Sequence, residues 1–94
     1  MIEHKTYFDG KVQSLSLTTW RGKPATAGVI VPREEEYDFG PAKTKETIYV
    51  TSGEIKARGV VFTPGDEKGI IFLPGEPIRL HVPHKDAAYL CVYG

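Results

Sequence analysis

Gly69-Ile70-Ile71-Phe72-Leu73-Pro74-Gly75-Glu76-Pro77-Ile78-Arg79-Leu80-His81-Val82 sets two short apolar runs on either side of a Pro-Gly turn. Proline fixes one backbone angle and glycine permits the left-handed region, so Pro74-Gly75-Glu76-Pro77 ends one run and launches the next. The second run alternates. Ile78, Leu80 and Val82 share one face of an extended chain, and Arg79 and His81 share the other. A period of two over five residues predicts a strand with one apolar and one polar side.

The same grammar extends in both directions. Ten Gly and seven Pro punctuate the chain, and between them lie runs rich in β-branched and aromatic residues. Strands are predicted over Lys11 to Thr19, Ala25 to Val31, Thr47 to Thr51, Glu54 to Arg58, Val60 to Phe62, Gly69 to Leu73, Ile78 to Val82 and Ala88 to Tyr93. Turn signals stand at Asp9-Gly10, Arg21-Gly22-Lys23-Pro24, Thr51-Ser52-Gly53, Thr63-Pro64-Gly65-Asp66 and Pro74 to Pro77. No stretch repeats apolar residues at helical spacing, so little or no helix is expected. Many short strands must hide their edges, and closure into a small β-barrel or jelly roll does so while leaving a mouth for one small ligand. The fold expectation is therefore all-β, a short barrel around one polar pocket, as a single domain over residues 1–94.

Composition narrows the function. Twelve Lys and Arg balance twelve Asp and Glu, which argues against nucleic acid or an anionic membrane as partner. No apolar run approaches the ~20 residues that cross a bilayer, and Met1-Ile2-Glu3-His4-Lys5 lacks a signal-type apolar region, so a cytoplasmic location is expected. The single cysteine, Cys91, lies between Leu90 and Val92 and reads as a buried, unreactive thiol. His4, His81 and His84 are too scattered to make a metal site, and none is expected.

Two places carry candidate chemistry. In Glu46-Thr47-Ile48-Tyr49-Val50-Thr51-Ser52-Gly53, Glu46 shares the face of Ile48 and Val50. If that face is core, the carboxylate is buried at a cost that marks a functional group; the plainer alternative is a strand-end glutamate reaching solvent. Arg79 and His81 form the second candidate: a guanidinium fork suits phosphate or carboxylate, and an imidazole exchanges protons near neutral pH. Here the plainer alternative is a solvated outer face above a core of Ile78, Leu80 and Val82. Arg33-Glu34-Glu35-Glu36 reads as a solvated turn, and Tyr37 and Phe39 read as core or as a surface for a flat ring.

Glu46, Gly53, Gly69, Pro74 and Arg79 are spaced in a way that resembles the two sequence blocks of the cupin superfamily. The resemblance implies a jelly-roll barrel. Only the glutamate of the usual His, His, Glu and His metal set is matched: Gly40 to Lys43 hold no imidazole, and Arg79 stands where the second block has histidine. Tyr7-Phe8-Asp9-Gly10-Lys11-Val12, Gly28-Val29-Ile30-Val31-Pro32, Glu36-Tyr37-Asp38-Phe39 and Tyr89-Leu90-Cys91-Val92-Tyr93 resemble, more closely, the pyrimidine/purine nucleoside phosphorylase family of short cupins. That resemblance implies phosphorolysis of diverse nucleosides to free base and pentose 1-phosphate by a homodimer, with inorganic phosphate as co-substrate and no cofactor. The chain departs from the family in a shorter region after Gly53 and in the longer turn Pro32 to Glu36.

Phosphorolysis needs an anion site, a grip on the sugar hydroxyls and relief of charge on the departing base. Under the resemblance, Arg79 turns inward to hold phosphate, Glu46 holds the ribose, His81 protonates the base, and Tyr37 or Phe39 stacks on it. An inward Arg79 would turn Ile78, Leu80 and Val82 outward, into a dimer interface. The alternatives are a non-catalytic cupin binding a nucleoside or sugar phosphate, a metal-dependent cupin enzyme, and a structural or regulatory dimer.

Overall fold

The computed structural model describes residues 3–18 and 22–94. Thr19, at the end of the first predicted strand, Arg21 of the second turn, and Met1 and Ile2 of the N-terminal stretch lie outside the described residues.

Ten strands follow one another: β1 (Glu3–Tyr7), β2 (Val12–Thr18), β3 (Pro24–Ile30), β4 (Tyr37–Pro41), β5 (Glu46–Ser52), β6 (Ile55–Ala57), β7 (Val60–Phe62), β8 (Ile70–Phe72), β9 (Pro77–Leu80) and β10 (Ala87–Tyr93). All eight predicted runs contain strand. The two strands missed, β1 and β4, have weak sequence signals. In β1 every residue is exposed, so Glu3-His4-Lys5-Thr6-Tyr7 has no apolar alternation to read. In β4, Gly40 and Pro41 look like punctuation yet stand inside the strand.

Six strands form one antiparallel sheet in the order β1-β2-β3-β10-β5-β8; β4-β9 and β6-β7 are two-stranded. The backbones of Lys56 and His81 bond each other reciprocally at 2.8 Å, tying the two small sheets together. One core joins all three: Val12, Ile30, Ile48, Ile70 and Phe72 from the large sheet meet Tyr37, Ile55, Ile78, Leu80 and Val82 from the small ones. The all-β expectation holds, but the large sheet is not closed into a barrel: among the described residues, β1 and β8 end it without hydrogen-bonded neighbours beyond them.

Two glycines are required by close approach. Gly53 has φ 74°, and a Cβ there would stand 2.6 Å from the Asp86 carbonyl oxygen, beside the bulge at Ala88/Tyr89. Gly28 lies under Tyr89: a Cβ would meet the Gln13 carbonyl oxygen and stand 2.7 Å from the phenol oxygen. The tyrosine ring can cross β3 only because that position is bare.

Candidate functional site

The inner face of the large sheet is set by register. Directly opposite residues share a face, so Tyr93 lies beside Glu46, Cys91 beside Ile48 and Thr26, and Gly28 beside Ser14 and Tyr89. Ile48, Val50, Ile70, Phe72 and Cys91 on this face are buried. Toward one end the apolar residues give way to Glu46, Tyr93, Thr26, Ser14 and Tyr89, and a cavity of about 420 Å³ opens there, within the range of small-molecule sites. Among the described residues, six hydroxyl side chains line it, from Tyr7, Ser14, Thr26, Thr44, Tyr89 and Tyr93. Ile78 and Leu80 close the opposite wall, Phe39 presents an aromatic surface, and Lys43 is the cation along the lining.

Glu46 is half-buried, and the Cys91 thiol donates to its Oε1 at 3.4 Å. Desolvation raises the Glu46 pKa; the thiol hydrogen bond opposes it. Burial, helped by the neighbouring carboxylate, pushes the Cys91 thiol up to about 12, so the thiol stays protonated and serves as a donor. Tyr93 is also raised, chiefly by burial, and its hydroxyl lies 3.2 Å from the Thr26 Oγ1. Burial raises Tyr89 as well. In this cluster the carboxylate is therefore the group that ionises first.

Glu46 and Phe39 line the cavity as the sequence suggested; the other candidates stand elsewhere. Asp38 lies opposite Arg79, and Tyr37 opposite Leu80. With Leu80 and Ile78 in the core, Arg79 points outward, its Nε 3.4 Å from Asp38 Oδ2 in an exposed pair. The inward placement of Arg79 is corrected, and for a plain reason: turning it in would expose three apolar side chains. For the same reason Ile78, Leu80 and Val82 cannot form a dimer interface, being 5%, 3% and 0% exposed within their own chain. His81 donates from Nε2 to the Arg33 carbonyl at 3.1 Å, away from the cavity lining. Tyr37 is fully buried, its hydroxyl bonded to the Val31 carbonyl, its ring 3.9 Å below the Arg33 guanidinium and edge-on to Phe8. It supports Phe39, 6.4 Å away and nearly parallel, rather than reaching the cavity.

Lys43, Tyr89 and Tyr93 escaped the sequence reading. For the two tyrosines a signal existed: once Cys91 is taken as buried, residues 89 and 93 must share its face. Lys43 follows Pro41-Ala42 in a loop, where parity says nothing. The metal set of other cupins does not fit here, because no histidine lines the cavity beside Glu46.

A family model described as pyrimidine/purine nucleoside phosphorylase matches residues 2–93. A relative from Alcanivorax borkumensis described by that name is 37% identical over 101 residues, covering 100% of this chain and 99% of its own. A protein of unknown function from Acinetobacter sp. ADP1 superposes with a TM-score of 0.81 at 21% identity, over 98% of this chain and 90% of its own. An RmlC-like cupin from Ralstonia eutropha JMP134 superposes with a TM-score of 0.69 at 12% identity, over 99% of this chain and 64% of its own. These structural likenesses establish a cupin-like fold.

Proposed function

The chain belongs to the pyrimidine/purine nucleoside phosphorylase family, and we propose that it cleaves diverse purine and pyrimidine nucleosides with inorganic phosphate in the cavity around Glu46. The observation that carries this reading is the composition of that cavity: among the described residues, a half-buried carboxylate stands with six hydroxyls, and Lys43 and Phe39 share the lining. Hydroxyl-rich walls suit a pentose, and an aromatic face suits any nucleobase, since every base has a π-face.

In the proposed reaction a phosphate oxygen forms a bond to C1′ of the pentose while the C1′–N bond breaks. The bonding pair leaves with the base, and a proton ends on that base nitrogen. Ionised Glu46 accepts hydrogen bonds from the sugar hydroxyls and stabilises positive charge growing at the ring, an effect strengthened by the partly dry surroundings. Lys43 takes the role that the sequence suggested for Arg79: its ammonium attracts phosphate as a point charge. Tyr89 and Tyr93, held protonated by burial, supply hydrogen-bond donors to sugar or base. The reaction needs no group beyond phosphate, and the cytoplasm, where the Cys91 thiol remains reduced, is the expected compartment.

A second reading, a non-catalytic cupin that binds a nucleoside or sugar phosphate, draws on the outward turn of Arg79, which leaves Lys43 as the sole Lys or Arg among the described residues that line the cavity. Purified protein supplied with uridine, inosine and adenosine, with and without phosphate, separates the two. Phosphate-dependent appearance of free base and pentose 1-phosphate from more than one nucleoside is expected. Folded protein that binds nucleoside but releases no base would transfer the assignment to the binding module.

A further inference from the structure

Tyr7-Phe8-Asp9-Gly10 leads from β1 into β2, and its last three residues have left-handed backbone: Phe8 (φ 54°), Asp9 (φ 56°) and Gly10 (φ 83°). Asp and Gly tolerate that region in hairpin turns, and the Lys11 N–H closes this turn on the Phe8 carbonyl at 3.1 Å. A phenylalanine in the same region is rare and strained. Among the described residues no other aromatic has a positive φ. Turn chemistry accounts for Asp9 and Gly10 and leaves Phe8 to be explained by its ring.

That ring stands nearly perpendicular to two others, 5.0 Å from Tyr37 and 5.2 Å from Phe39. The Arg33 guanidinium lies 5.0 Å from its centre and is fixed by hydrogen bonds to the carbonyls of Glu35 and Glu36. Phe8 does not itself line the cavity, whereas Phe39 and its own chain neighbour Tyr7 do. Phe39 needs such a support, because its strand leaves it undirected. The β4–β9 ladder loses register between Asp38 and Pro41, and Gly40, next in the chain, is left-handed. Where backbone pairing lapses, side-chain packing sets direction. Tyr7 stands opposite the buried Val12 and so faces the same interior.

We infer that Phe8 is a positioning residue for the nucleobase: its ring holds Phe39 as a flat wall of the cavity and ties that wall to the hairpin that carries Tyr7. The inference rests on the proposed reading of the cavity as a nucleoside site. A stacking wall acts on the base before and during bond cleavage alike, so loosening it weakens binding of nucleoside without slowing the chemical step.

Two substitutions separate this role from a structural one. Phe8→Gly removes the ring and relieves the left-handed backbone, whereas Phe8→Ala removes the ring and keeps the strain. Both are expected to raise KM for uridine and for inosine about tenfold, with kcat within about twofold and KM for phosphate unchanged. This holds although Phe8→Gly is the more stable of the pair in urea. A purely structural Phe8 gives losses that follow stability instead, with Phe8→Gly near native. That outcome, or an unchanged nucleoside KM in both variants, overturns the inference and leaves phosphorolysis standing. Titration with uridine in the absence of phosphate reads the same effect without turnover, as about tenfold weaker binding. A native chain that binds uridine without cleaving it, and loses that binding in both variants, supports the inference while overturning the reaction. Native protein that neither binds nor cleaves overturns both. If a variant fails to fold, Phe8→Leu keeps the apolar bulk and carries the comparison, with a smaller rise in the same direction.

Discussion

Strands β9 and β10 both contribute to the core, yet they follow opposite rules. In β9 the apolar residues Ile78 and Leu80 face in and Arg79 faces out, as hydrophobic burial dictates. In β10 the side facing in carries Tyr89, Cys91 and Tyr93, and the side facing out carries Ala88, Leu90 and Val92. Its neighbour β5 places Glu46 inward at the same end. Where alternation obeys the ordinary rule the strand holds the fold together; where it is inverted the inner side becomes a cavity with polar walls. The outer side then becomes an apolar surface. Polar cavity lining and apolar outer surface are two consequences of one inverted sheet.

Glu46 is the sharpest place to break this contrast. Glu46→Gln keeps the shape and removes the charge, and kcat/KM for phosphorolysis is expected to fall by about 10²–10³-fold, as for loss of one preorganised electrostatic group. Arg79→Ala, on the regular strand, is expected to leave kcat/KM within about twofold, because its partner Asp38 is equally exposed. The reverse ranking would return the active site to β9. Next in size, Gly28→Ala forces a methyl against the Gln13 carbonyl and the Tyr89 phenol. Overpacking of this kind costs about 2–3 kcal/mol in denaturant unfolding. A neutral outcome would mean that Tyr89 is free to leave the cavity wall. Lys43→Ala should raise KM for phosphate about tenfold with little change in KM for nucleoside, the signature of a lost charge-assisted contact.

How much of this the sequence declared follows the same division. Regular strands announce themselves: the plainer reading of Ile78 to Val82 put Ile78, Leu80 and Val82 in the core, and their burial agrees although the strand itself runs from Pro77 to Leu80. The alignment-based inward turn of Arg79 overrode that pattern and was the part that failed. Glu46 was legible because a carboxylate in register with Ile48 and Val50 is a local contradiction. Tyr89 and Tyr93 were legible only through Cys91, whose burial fixes their face; taken alone, an aromatic residue fits either face of a strand. Lys43 was invisible for another reason: loop positions obtain their direction from tertiary closure, which no local period encodes. Closure was overestimated because short punctuated strands look alike in sequence whether or not the sheet's end strands meet.

The smallest expected effect is also the most specific to the inverted strand. The proposed mechanism requires ionised Glu46, so kcat/KM should fall on the acid side through the folded-state Glu46 pKa, which burial raises from its ordinary value. The thiol of Cys91 bonds the ionised form and lowers that pKa. Cys91→Ala removes the donor, so the acid limb should move to higher pH while the plateau rate stays within about twofold. Cys91→Ser restores a donor and should return the limb toward its native position. The linked stability change has a definite sign. An acid whose folded pKa is raised stabilises the fold fully below its unfolded pKa, and this contribution is lost as pH rises through the folded value. Native protein should therefore lose stability relative to Glu46→Gln across that window, and Cys91→Ala should lose more. Urea unfolding at pH steps from the carboxylate range to neutrality reads it directly. A limb and a stability curve that ignore position 91 would show that the 3.4 Å contact leaves the carboxylate untouched, and that Glu46 owes its state to burial alone.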